Sequence, residues 1–208
     1  MSITSYSTLK TAVFDFSGRD DLSSKFSTII EIAEDNMYNN DSQPLRTQEL
    51  ISTTTLTTVA GTNSLALPSG FISGLSILIV DGGLKRELVN TAPASLHRNG
   101  ESGIPCKYSI TDTIVFDYVP DGAYDIELTY YARPSTLDAT NNTNAILTAY
   151  PSIYLYACLA SVADLSGEDN DAERFYQKMM RSIKGAIRAS RKLRYAPGAS
   201  AMNRTWTP

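Results

Sequence analysis

The chain has 208 residues, 42% hydrophobic and 19% charged, which supplies apolar material for one sizeable core or two small ones. No apolar run approaches the roughly 20 residues that cross a bilayer. The opening Met1-Ser2-Ile3-Thr4-Ser5-Tyr6 has neither a basic nor an apolar stretch, so membrane and secreted classes are both disfavoured. The net charge of -4 hides a split. Up to residue 170 there are nine basic and 20 acidic side chains, a balance of -11; from Asp171 onward there are nine basic and two acidic, a balance of +7. An acidic body with a basic end has a preferred direction for charge pairing.

In chain order, the first signal is helical. Tyr6, Leu9, Val13 and Phe14 recur at helical spacing until Gly18 stops them. A second helix is expected from Asp20, as its cap, through Leu22, Phe26, Ile29, Ile30, Ala33 and Met37. The opposite, outward face is then expected to carry Glu31, Glu34 and Asp35. From about residue 47 the period changes. Thr53–Val59, Ser64–Leu67, Leu75–Val80, Lys107–Ile110, Thr113–Tyr118 and Tyr124–Tyr131 read as short strands. Gly61-Thr62-Asn63, Asp81-Gly82-Gly83 and Asp121-Gly122 supply the turns between them. Several short strands at close spacing predict a small antiparallel β-domain, a sandwich or partial barrel.

The last third is helical again. Asn144–Leu165 is apolar nearly throughout, and Pro151 suits the first turn of a restarted helix. Gly167 ends it. Asn170 followed by Glu173 has capping-box spacing before the stripe Phe175, Met179, Ile183 and Ile187. Pro197-Gly198-Ala199-Ser200 stops that helix, and the segment beyond has no periodicity. The expected class is α+β: a helical bundle formed by the N- and C-terminal helices, with a small antiparallel β-domain inserted. The boundaries are 1–46 for the first helices, 47–135 for the insert, 136–195 for the last helices and 196–208 for a flexible tail.

Chemistry is sparse. His97 stands alone, without a nucleophile or a second strong ligand near it. Cys106 and Cys158 are too few and too distant for a disulfide framework or a metal cluster and read as free thiols. Arg19-Asp20-Asp21 and Glu168-Asp169-Asn170-Asp171 could attract a cation, but both sit where helices start and carboxylates favour capping. No catalytic, metal or cofactor residues emerge. The basic stretch Arg181–Arg194 permits contacts with a nucleic-acid backbone, with Tyr195 and Trp206 available to stack. Its cations read as spread around the helix of an acidic chain, which favours a solvated face or an acidic protein partner.

Several phrases, in order, bear a resemblance. They are Arg19-Asp20-Asp21-Leu22, Ala33-Glu34, Leu45-Arg46, Leu56-Thr57 and Leu65-Ala66-Leu67-Pro68-Ser69-Gly70-Phe71. Further on come Ser102-Gly103-Ile104-Pro105 with Tyr108, then Glu127-Leu128-Thr129-Tyr130-Tyr131-Ala132-Arg133 and Leu147-Thr148-Ala149-Tyr150-Pro151-Ser152-Ile153-Tyr154-Leu155-Tyr156. Over roughly residues 6–190 the chain resembles the head-to-tail adaptor (connector) proteins of short-tailed and related bacteriophages. Gly70 departs from the acidic residue expected before Phe71.

The resemblance implies a non-enzymatic virion protein at the head-tail junction, made in the host cytoplasm. It implies a ring, commonly a dodecamer, that joins the portal protein to tail or nozzle proteins while DNA passes through the lumen. Arg188, Arg191, Lys192, Arg194, Tyr195 and Trp206 are then the expected docking residues for the portal or a neighbouring subunit. Two other readings stay open: a DNA-binding packaging accessory using the basic helix, and a carbohydrate-binding module presenting Tyr130 or Tyr131. Strand alternation leaves at most one of those tyrosines outward.

Overall fold

Ser5 and Thr8 open the first helix by capping each other: Ser5 Oγ accepts from the Thr8 amide at 3.2 Å, and Thr8 Oγ1 from the Ser5 amide at 2.9 Å. The computed structural model describes residues 2–96 and 100–194. Helix α1 is Tyr6–Ser17 and ends at Gly18, whose φ of 65° lets its amide return to the Phe14 carbonyl at 2.8 Å. The next stretch corrects the expectation at Asp20. A 3-10 turn, Asp20–Lys25, precedes α2, Phe26–Tyr38, and no side chain caps either one. Asp21 instead takes two hydrogen bonds from the Arg19 guanidinium, at 2.9 and 3.0 Å, which hold its carboxyl below the usual carboxylate range.

The chain divides into two compact units: residues up to Leu50 together with those from Pro134 onward, and Ile51–Arg133. The first unit is helical. After α1 and α2 it adds α3, Ala145–Ala149; α4, Pro151–Leu165; and α5, Asp169–Arg194. Asn144 caps α3 through Leu147 N at 2.8 Å, and Tyr150 leaves helical geometry so that Pro151 starts α4. Helix α4 is apolar almost all round and touches α1, α2 and α5, the placement its composition dictates.

A charged side chain, Glu34, lies in that core. Glu34, expected on the outward face, is fully buried, whereas Glu31 and Asp35 are exposed. Its Oε1 accepts from the Leu137 amide and from the Tyr154 hydroxyl, each at 3.1 Å, and Asn144 Nδ2 donates to Tyr154 at 2.7 Å. Burial pushes the Tyr154 phenol up, and burial followed by the nearby Glu34 does the same to the Cys158 thiol. A thiol held in that form packs as a small hydrophobe and is a poor nucleophile.

Among the described residues the second unit holds eight strands: β1 Ile51–Thr57, β2 Ser64–Ala66, β3 Phe71–Asp81, β4 Leu84–Glu87, β5 Val89–Asn90, β6 Lys107–Ile110, β7 Thr113–Phe116 and β8 Asp125–Ala132. They form two four-stranded sheets, ordered β1-β8-β3-β4 and β2-β7-β6-β5, antiparallel except for the short β5–β6 pair. Alternation along β8 buries Ile126, Leu128 and Tyr130, which meet Ile77 and Ile79 of β3, Tyr108 of β6, and Ile114 and Phe116 of β7. Two sheets sharing one apolar core make a sandwich.

Thr58 lies beyond the end of β1. Its hydroxyl donates to the Gly122 carbonyl at 3.0 Å and accepts from the Tyr124 amide at 2.8 Å. Strand β3 begins four residues before the predicted Leu75, because register shifts at Phe71/Ser73 and Gly74/Ser76 break the two-residue period.

Gly70 has a physical reason for its identity. Its φ is 71°, and an added Cβ would stand 2.8 Å from the Arg133 carbonyl oxygen. We expect Gly70→Asp, the residue type the resemblance would place there, to cost about 2–3 kcal/mol from strain and crowding. The shift in urea midpoint between the two full-length proteins measures it, and an unchanged midpoint would show the turn to be permissive.

Candidate docking surface

Helix α5 runs 26 residues, about 39 Å at helical rise. Gly167, with φ 74°, turns the chain out of α4, and the Glu168 carbonyl accepts from the Asp171 and Ala172 amides at 3.0 and 2.9 Å. The helix therefore starts one residue before the expected Asn170–Glu173 capping box. Glu173 does not reach back; its Oε1 accepts from Gln177 Nε2 at 2.7 Å. Asp169 and Asp171 lie in the first turn, where carboxylates suit the helix dipole.

Along α5, Met179, Met180, Ile183, Ala186, Ile187 and Ser190 are buried, and the helix packs against α4. Ser190 ties its far end down by accepting the Gln48 amide at 2.7 Å. The remaining face is cationic. Arg174, Lys178, Arg181, Arg188 and Lys192 recur at three-, four- or seven-residue spacing, with Lys184 and Arg191 beside them, and all seven are exposed. The cations are therefore not spread around the helix, the arrangement expected from Arg181–Arg194 alone. They form one row, about 27 Å long from Arg174 to Lys192.

The two ends of the row differ. Arg174 pairs with Asp171 at 3.3 Å and lies over the Phe175 ring at 5.0 Å; Lys178 lies over Phe175 at 5.3 Å and Tyr156 at 5.6 Å. Among the described residues, Arg181, Lys184, Arg188, Arg191 and Lys192 have no hydrogen bond, ion pair or aromatic partner. Leu193, 70% exposed, extends the surface with an apolar side chain. Arg194 ends the helix, and its side chain lies outside the described set. So do Tyr195 and Trp206 of the predicted docking set, and His97.

The acidic counterpart was not anticipated. Asp164, Asp169 and Glu173 line an open groove of about 320 Å³ between α2, α4 and the start of α5, and Asn36 and Tyr176 share its wall. Among the described residues, no lysine or arginine lines it. Its signal in the sequence was the acidic run after Gly167, but Asp164 joins it only because α4 and α5 turn back on one another. Among the described residues, no group of three or more His, Cys, Asp or Glu could hold a metal ion. No described helix is long and apolar enough to cross a membrane. On the β unit, Tyr130 is buried and stacked on Phe71 at 5.6 Å, so it offers no outward ring.

What this geometry offers is charged surface for contact with other macromolecules, on a two-unit scaffold. No curated protein matches the chain in sequence. The family model described as SU10 adaptor protein matches residues 4–203, nearly the full length. The chain therefore belongs to the SU10 adaptor protein family, and is a bacteriophage head-to-tail adaptor, a structural protein of the virion.

Proposed function

We propose that copies of the chain form a ring at the head-tail junction that joins the portal to tail components, with the genome passing through the lumen. The end of α5 and the segment after it, carrying Arg188, Arg191, Lys192, Arg194, Tyr195 and Trp206, make the portal contact. The observation that carries this reading is the row of unpartnered cations on the exposed face of α5, on a chain whose other parts are acidic. A cation left without a partner in one molecule is available to carboxylates on another, and pairing across an interface fixes orientation as well as attraction. The sequence of residues 196–208 carries no apolar periodicity, which supports reading it as a segment that becomes ordered on docking. Tail proteins then meet another part of the molecule, for which the β insert is the natural candidate.

Deleting residues 192–208 tests the portal contact. Among the described residues the last buried side chain of α5, Ser190, lies before the cut, so the circular-dichroism spectrum and melting temperature are expected to stay close to those of the full chain. Binding to portal is expected to be lost. Undiminished portal binding by the truncated protein would remove the assignment. The same preparations distinguish a nucleic-acid role. Tight duplex-DNA binding that falls steeply with salt, and disappears on truncation, would assign the cations to DNA instead.

A further inference from the structure

We propose that the acidic groove of one copy receives Arg181 and Lys184 of the next, so that a single helix, α5, supplies both halves of the seam between neighbours. This rests on the ring reading above and names the contact within it.

The groove carries carboxylates from two helices, Asp164 of α4 with Asp169 and Glu173 of α5, and among the described residues no cation lines it. Among the described residues the Asp164 and Asp169 carboxylates make no hydrogen bond or ion pair. Glu173 keeps only a neutral partner, Gln177. Arg181 and Lys184 are exposed and equally without partners. The two sets cannot neutralise each other within one molecule. Even the nearest pair along the helix, Glu173 and Arg181, is separated by about 12 Å of helical rise, more than the screening length in physiological salt of about 8 Å. The helix cannot fold back to shorten that gap. A second copy can.

The contact joins unlike surfaces, so each molecule uses its groove toward one neighbour and its cations toward the other. Such a heterologous contact propagates and closes into a ring when the rotation between copies divides the circle. Arg181 and Lys184 also lie ahead of the segment assigned to the portal. They remain uncovered when that segment is engaged. Exposed ion pairs are individually weak and screened by salt. The seam should therefore form at low ionic strength or at the high local concentration on a portal, and loosen as salt is added.

Complementary charge reversal tests it. One variant carries R181E and K184E; the other carries D164K and E173K, sparing Asp169 at the start of the helix. Both should keep the helical content of the parent by circular dichroism. Self-association is followed by sedimentation at low salt, and copies retained per portal are counted by mass. We expect each variant alone to associate at least tenfold more weakly than the parent. An equimolar mixture should recover association, because each reversed groove then faces a reversed row.

The seam is wrong if either variant associates like the parent, or if the mixture fails to recover. It is also wrong if the parent shows no contact between copies either in solution or on portal. Failure of the portal reading looks different. There the truncated chain still binds portal, or the parent does not, whatever the charge-reversed pair does with itself.

Discussion

Glu34→Ala is expected to lower the unfolding free energy by about 3–5 kcal/mol, and the melting temperature by about 10 °C. The carboxylate has no exposure to solvent, and one of its oxygens receives both the Leu137 amide and the Tyr154 hydroxyl. Removing it leaves two donors in a dry core, each costing about 1–3 kcal/mol unless another acceptor moves in. The missing side chain also leaves a cavity between α2 and α4, whose walls relax only in part. Glu34→Gln separates these contributions, because an amide oxygen can still accept and the volume is kept; it should cost distinctly less. Urea titration of the three full-length proteins by circular dichroism is the measurement. An alanine variant within 1 kcal/mol of the parent would mean that Glu34 does not tie α2 to the residue 137 segment and to α4.

Phe116→Ala should act on the other unit, at a cost of about 3–5 kcal/mol. Phe116 is completely buried among the side chains shared by the two sheets, with Ile77, Ile79, Ile126 and Leu128 in the same cluster. Its replacement leaves a ring-sized void between layers that ladder hydrogen bonds hold in place. For a unit of this size, that is a large part of a stability normally of about 5–15 kcal/mol. Hydrogen exchange of the full-length variant should show the loss at the β3 and β8 amides, and Phe116→Leu should restore much of the protection. Unchanged exchange at those amides in the alanine variant would place the centre of the core elsewhere.

Most elements were legible because their residues answer to local physics. Gly18 and Gly167 end helices at positive φ, Pro151 restarts one, and Asp81-Gly82-Gly83 turns one strand into the next. The misreadings have specific causes. Glu34 lies four residues after Ile30 and eight after Phe26, on the apolar stripe, but its charge led to an outward placement. Only the partners brought by Leu137 and Tyr154 permit it to be buried. Asp20 and Asn170 have the chemistry of caps, yet Asp21 bonded to Arg19 and Glu173 bonded to Gln177 take up the local options. The row of cations on α5 was readable from spacing alone, once Arg174 and Lys178 are counted with Arg181. The groove was not, since Asp164 reaches it through tertiary packing.

The pairing of β1 with β8 bears on how the helical unit can form at all. Ile51 lies opposite Tyr131, so the first and last strands of the insert are direct neighbours. Unfolded, the insert would be a long slack tether between α2 and the helices that must meet it. Once its sheet closes, its two ends emerge side by side, and the tether shrinks to the equivalent of a short loop. By the logarithmic law for chain closure this relieves the helices of about 2–3 kcal/mol of ordering cost. A nascent chain that completes its sandwich before α4 leaves the ribosome would thus hand the waiting apolar stripes of α1 and α2 a partner already within reach.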